Sequence, residues 1–347
     1  MKKALLVLTL LLSLHTFAQD IHFSQFYAAP LNLNPAFTGV FNGNVRLTGN
    51  FRSQWQSVSV NAPYRTYAAS VDFSGRSGPF NRIGGGISVF SDKAGTSQLS
   101  TTNFTGAFAY TFSLSRGLDY YLCVGGEVGL SQRSINYGML TFGTQYLNNT
   151  YDATNATGEE GNITQNITVS DGSLGLLWYH LKTPRISQYA GISYWHVNRP
   201  NVAFIDNDDD RMFTKIILQG GAQMKMNRTH DLLLNGMIAK QGPSFEIEPG
   251  GLIKFIMSER KTATFGGTAF YIGPYARLSR TYSSVNLDAL ILATKFDLNN
   301  LTFGVSYDVN TSALTRGSSS RGGPEISVQY ISRIAHQRSK YFCPRFN

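Results

Sequence analysis

Charge, cysteine and long apolar runs are all scarce in this chain. Charged residues make up 15% of its 347 residues, against about 25% in an ordinary soluble domain. The formal net charge is +9, yet no basic run gathers that charge into a nucleic-acid footprint. Cys123 and Cys343 are the only cysteines, too few for a disulfide scaffold. Beyond the leader, His22, His180, His196, His230 and His336 form no zinc-spaced pair. No G-x-S-x-G elbow marks a nucleophile. The reading is therefore no catalytic residue, no metal, no cofactor, no nucleic acid and no small-molecule substrate. The longest internal apolar runs, such as Tyr120–Val124 and Ala289–Ala293, are far short of the ~20 residues of a membrane-spanning helix.

What the chain has instead is 34 glycines, 18 tyrosines and 23 phenylalanines, set on a period of two. From Asn103 to Ser113, Phe104, Gly106, Phe108, Tyr110 and Phe112 hold one parity, and Thr105, Ala107, Ala109 and Thr111 the other. Successive strand residues face opposite ways, so one face is aromatic and the other small and polar. The pattern recurs from Val45 to Arg52, from Thr66 to Phe73 and from Leu301 to Asp308. Ile217 and Leu252 break it. Fourteen such segments are expected, near 44–54, 64–74, 82–92, 101–113, 119–131, 172–181, 186–196, 213–226, 230–240, 244–256, 262–272, 284–294, 299–308 and 323–333.

The links predict which way the aromatic face points. Gly75–Asn81, Leu114–Leu118, Lys182–Arg185, Asn227–Thr229, Met257–Lys261 and Lys295–Leu298 read as short. Gln132–Asp171, Val197–Met212, Gly273–Ser283 and Val309–Gly322 read as long, with Gln241–Pro243 a short exception. Short turns on one rim and long loops on the other favour an outer-membrane barrel over a secreted sandwich. The fold class is thus all-β, a transmembrane antiparallel β-barrel whose aromatic faces meet outer-membrane lipid. Lys2 and Lys3, the apolar run Ala4–Leu14 and Thr16-Phe17-Ala18 read as an export leader. The organisation is then 1–18 signal peptide, 19–43 a periplasmic or plug segment, 44–333 barrel and 334–347 a periplasmic tail, with both termini periplasmic.

Several residues invite a role. Arg46, Arg52, Asp72, Glu127, Lys215, Glu246, Glu248, Lys254, Asp288 and Asp308 fall on polar faces and would point into the lumen. A closed lumen would need those charges paired. Asp206–Asp210 starts like a calcium loop but lacks its glycine and bidentate glutamate, so a solvated acidic loop is the default. Cys123 and Cys343 both fall near the periplasmic end. They form either a disulfide tying the tail to the barrel mouth or two separate thiols. Residues 19–39, QDIHFSQFYAAPLNLNPAFTG, are too aromatic for a disordered leader. Their rings either enter the barrel as a plug or contact a periplasmic partner.

His22-Phe23-Ser24-Gln25-Phe26, Asn34-Pro35-Ala36-Phe37-Thr38-Gly39 and Phe51-Arg52-Ser53-Gln54-Trp55 resemble the opening of PorP/SprF-like membrane proteins of the type IX secretion system. Glu248-Pro249 and the closing Phe342-Cys343-Pro344-Arg345-Phe346 are similar to that family too. The Gln132–Asp171 loop is larger than the family pattern. The resemblance implies a non-enzymatic barrel of the secretion and gliding machinery that docks or anchors a secreted adhesin or a machinery protein. The alternative is a general outer-membrane porin. The signature positions Phe23, Gln25, Asn34, Pro35, Gly39, Arg52, Gln54 and Trp55 are then structural or partner-contacting.

Overall fold

The computed structural model describes residues 20–54, 56, 63–78, 80–115, 119–147, 150–157, 164–183, 186–205, 209–258, 267–281, 284–312 and 320–332. The expected leader, Trp55, Asp206–Asp208, Cys343 and the C-terminal tail lie outside them. The strands are β1 (Val45–Gln54), β2 (Tyr64–Ser77), β3 (Asn81–Ala94), β4 (Leu99–Ser113), β5 (Tyr120–Ser134), β6 (Tyr146–Leu147), β7 (Thr150–Tyr151) and β8 (Asn166–Thr183). They continue as β9 (Ile186–Trp195), β10 (Lys215–Lys225), β11 (His230–Gln241), β12 (Ser244–Ser258), β13 (Thr268–Thr281), β14 (Ser284–Leu298), β15 (Leu301–Asn310) and β16 (Arg321–Ser332). All but β6 and β7 close into one antiparallel barrel of fourteen strands. Each pairs with its neighbours in sequence, and β1 meets β16 with Val45 opposite Ser332 and Arg52 opposite Glu325. Closure leaves no unpaired edge, the condition for crossing lipid with strands. Among the described residues no helix is long and apolar enough to cross a membrane.

The aromatic parity faces outward. Phe104, Phe108 and Phe112 are exposed, while Thr105, Ala107, Ala109 and Thr111 are buried. The same division runs round the ring, with Tyr67 and Phe73 outside and Thr66, Ser70 and Asp72 inside. The hydrophobic core lies in the lumen, where Asp20 to Asn44 run down the inside of the wall. Phe26 meets the Tyr275 ring edge-on at 6.1 Å, Tyr27 stacks on it at 5.6 Å, and Phe37 meets Tyr189 at 5.8 Å. Ile217 and Leu252, which broke the alternation, are buried here with Phe26, Tyr27 and Leu33. They put apolar side chains inward because an apolar segment lies against them.

Two expectations need correction. Gly273–Ser283 is no loop: β13 runs through it to Thr281, and the link expected to be short, after Ser258, extends to Thr268. Pro274 stays in the strand because its ladder partner is Leu292 on β14, while the β12–β13 register skips Gly273 and Pro274. Pro cannot donate to a ladder, so a skipped position suits it. The described chain also does not begin at the rim of β1. Asp20 N–H donates to Gln241 Oε1 at 3.0 Å, and its carboxylate reaches His196 and Lys215. Those residues sit at the ends of β9, β10 and β11 farthest from Val45. Asp20 thus lies at the upper rim, beside the links 135–165 and 196–214, and Ser332 at the lower.

Candidate functional site

The lumen segment is held at four levels. At the bottom, Arg46 and Asp72 are fully buried neighbours on β1 and β2. Arg46 donates through Nε to Asp72 Oδ1 at 2.9 Å and through Nη2 to Oδ2 at 2.8 Å. The segment joins them: Gly39 N–H donates to Asp72 Oδ2 at 2.8 Å, and Phe37 C=O accepts from Arg46 at 3.0 Å. Gly39 holds φ +74°, and a Cβ there would lie 2.6 Å from the Gly84 Cα. Glycine is the residue that can take that φ and that approach.

In the middle, Asn34-Pro35-Ala36 sits in a seat made by missing side chains. Asn34 caps the short turn Pro35–Phe37, its Oδ1 accepting from Ala36 N–H at 2.8 Å, and Pro35 supplies the preset φ of a first helical residue. The Asn34 amide then donates to the carbonyls of Leu176 at 3.0 Å and Ile192 at 3.1 Å. Gly125 on β5 faces the turn, and a Cβ on it would lie 2.6 Å from Ala36 backbone.

Near the top, two arginines and four carboxylates bind the segment to β1, β12, β13, β15 and β16. Arg52 Nη2 and Arg277 Nη1 both donate to Asp308 Oδ2, at 2.9 and 2.8 Å. Arg277 also reaches Glu248 at 3.1 Å and lies 4.0 Å from Glu246. Ser24 Oγ donates to Asp308 at 2.7 Å and accepts from Arg277 at 2.6 Å. The backbone N–H groups of Ser24 and Gln25 donate to the two oxygens of Glu325 at 2.7 and 2.9 Å. The Gln25 amide bonds Ser306 and Ser327, and Arg52 donates to the His22 carbonyl. Buried charges persist when paired and hydrogen-bonded, and here the hydrogen bonds pass through the segment. Burial, then the charges of Arg52, Arg277 and Lys215, hold the His22 imidazole well below its ordinary pKa.

At the rim, His196 Nδ1 and Nε2 each lie 2.7 Å from a carboxylate oxygen, of Asp171 and of Asp20. A neutral imidazole has one N–H, so two carboxylates favour the doubly protonated ring. Burial alone would lower the His196 pKa, but the hydrogen bonds to Asp171 and Asp20 and their charges push it up to about 9. The Asp20 carboxyl, against the effect of its burial, is held well below the usual range by His196 and Lys215. Below this latch a cavity of about 110 Å³ opens between the segment and the wall from β3 to β12.

The signature residues therefore have definite places. Phe23, Gln25, Asn34, Pro35, Gly39 and Arg52 are buried in the lumen, and Gln54 is half-buried at the end of β1. Cys123 is buried near the lower rim with its Sγ 2.7 Å from Thr111 Oγ1. Of the charged positions expected inside, Arg46, Arg52, Asp72, Glu246, Glu248, Lys254 and Asp308 are buried and ion-paired. Sequence reasoning missed Arg277 and Glu325. Arg277 fell in the stretch read as a loop, where parity was not applied. Glu325 alternates with the outward Ile326 and Val328 and was legible. Among the described residues no cluster is arranged to hold a metal ion.

A family model described as "Type IX secretion system membrane protein PorP/SprF" matches residues 15–330. No curated protein matches the chain. Solved structures similar to it include "CymD monoaromatic hydrocarbon channel", at 11% identity over 89% of this chain and 94% of that one, with a TM-score of 0.49. The Ralstonia pickettii toluene transporter TbuX is 9% identical over 88% and 94%, TM-score 0.44. The KdgM porin is 8% identical over 82% and 98%, TM-score 0.35.

Proposed function

The chain belongs to the PorP/SprF family of type IX secretion system membrane proteins, and we propose that it is a plugged, non-enzymatic anchor of that machinery. It docks a secreted adhesin or a machinery component and does not act as a general porin. The observation that carries this reading is the lumen segment. Residues 20–44 join the wall through hydrogen bonds to its buried ion-paired residues and through a capped turn, where a porin keeps a water-filled path. With the lumen filled by the chain's own residues, a rigid ring and its rims remain to work with. The longest links, 135–165 and 196–214, share the upper rim, which faces the cell exterior in this reading. The β6–β7 hairpin there exposes Tyr146, Leu147 and Tyr151, a surface suited to a protein partner. The signature residues act by seating the plug. The lower rim meets periplasmic components.

In-cell crosslinking of a tagged chain, purification from the outer membrane and mass spectrometry test this. Recovery of one large secreted protein, or of motor and translocon components, supports docking. Recovery of the barrel alone under conditions that preserve such complexes, with steady conductance in a planar bilayer, replaces the anchor with the porin. Deleting 145–157 asks whether the hairpin takes part, and unchanged adhesin display would remove it from the mechanism.

A further inference from the structure

The cavity under the upper rim has two unlike walls. One side carries Ser88, Thr101, Asn103, Thr105, Glu127 and Ser131, and the other Trp195, Met212, Ile217, Met237 and Ala239. Phe23 and Phe26 of the plug and Phe90 of β3 add ring faces. The carboxylates on this surface differ in what they already hold. Asp20 and Asp171 grip His196, and Asp20 lies 3.9 Å from Lys215. Glu127 makes no ion pair among the described residues. Its cross-strand partners are Ser173 and Ala107, and Asp171 is its like-charged diagonal neighbour.

Two further atoms have unmet hydrogen-bonding capacity. Glu246 is 8% exposed, and its Oε1 accepts no hydrogen bond, the Arg277 guanidinium standing off at 4.0 Å. Asn103 Oδ1 is buried and likewise unmet. Both are acceptors, as is the Glu127 carboxylate. A buried carboxylate without a counter-charge is costly, so the complement of Glu127 is a donor, and a positively charged one. The aromatic faces suit the same guest, since ring quadrupoles attract cations. The volume, about 110 Å³, is below the ~300–1,000 Å³ of sites for drug-sized ligands. It admits a side chain or a small amine.

We infer that this cavity is a binding site for an organic ammonium with an apolar stem. The ammonium sits against Glu127, and the stem lies on Trp195, Ile217 and Met237. The guest comes either as a free small amine or as a lysine side chain entering from the upper rim. The site is separate from the docking surface, so crosslinking results leave it untouched.

The test uses the full chain in detergent micelles and titration calorimetry. The probes are n-butylammonium, its neutral counterpart n-butanol, the peptide acetyl-Gly-Lys-Gly-amide and the same peptide acetylated on the lysine. The expected result is saturable binding of a charged probe, at least about tenfold tighter than its neutral twin. Tighter binding of the peptide identifies a protein side chain as the guest, and tighter binding of butylammonium a free amine. Glu127→Gln, which keeps the shape, should abolish the preference while the barrel keeps its heat-dependent gel mobility. Equal binding of charged and neutral probes by the native chain overturns the inference, as does no saturation up to about 50 mM. That comparison needs no variant to fold.

Discussion

Replacing Asp72 by Asn should destabilise the barrel by about 4 kcal/mol, roughly a thousandfold in the unfolding equilibrium. The size follows from three hydrogen bonds. Asp72 takes two from Arg46 and one from Gly39 N–H. An asparagine presents one oxygen and one NH₂. Placing the oxygen at Oδ2 keeps two of the three bonds but sets the NH₂ against the Arg46 Nε–H. Placing it at Oδ1 loses two. In either orientation a guanidinium that is 0% exposed loses its counter-charge, and breaking such a pair costs ~3–5 kcal/mol. Arg46→Met in the Asp72→Asn background removes the stranded charge and should recover at least about half of the loss. The assay is urea unfolding in lipid vesicles followed by tryptophan fluorescence, with hydrogen exchange over residues 34–41 to show the segment loosening beside it. If Asp72→Asn falls within about 1 kcal/mol of the native protein, or the double variant is worse than the single, the argument that this pair holds the plug is wrong.

Other outcomes follow from the same structure. The His196 latch has a folded pKa raised from 6.5 to about 9, so its stabilisation is complete below about pH 6.5 and fades as pH rises through 9. The full effect is about 3 kcal/mol; protection of residues 20–27 relative to intrinsic exchange at each pH should fall across that window in the native protein but not in Asp20→Asn, and pH-independent protection in both refutes the latch. Gly125→Val should unseat Ala36 at a cost of at least ~1–3 kcal/mol, seen as new conductance or loss of the heat-resistant gel band; a silent variant would show that the turn does not rest there. Phe108→Arg, on the lipid face, should cost about 2–4 kcal/mol in vesicles, whereas Leu147→Arg, equally exposed at 58% but on the β6–β7 hairpin, should stay within about 0.5 kcal/mol. Similar values for the two would contradict the assignment of the aromatic parity to lipid.

Alternation made most of the barrel legible. Every expected strand from Val45 to Ser332 has its counterpart, because a wall with lipid on one face repeats its pattern every two residues. The reading failed where another constraint outweighed alternation. Gly273-Pro274 reads as a break, yet the ladder to β14 carries the strand across it. The site was less legible, since it depends on pairs far apart in sequence. Arg52 and Asp308 are plainly polar-face residues, but nothing local says that Ser24 lies between Asp308 and Arg277. The seat under Asn34 is written in glycines on β5, β8 and β9, indistinguishable in a sequence so rich in glycine. Ile217 and Leu252 were the one local clue, since each breaks the pattern where the wall meets the plug's apolar side chains.

The seam between β1 and β16 bears on the order of assembly. Arg52 and Glu325 face each other across it, and both hold the first turns of the lumen segment. The segment is also the direct N-terminal extension of β1. Threading it into a finished ring would drag Asp20 past Arg46, Arg52 and Arg277 while the hydrogen bonds from Ser24 and Gln25 to Glu325 were still unmade. Closing the ring around it instead satisfies Ser24, Gln25, Arg52 and Glu325 in one event. The segment then serves as a mandrel: it fixes the circumference at which the last strand finds the first.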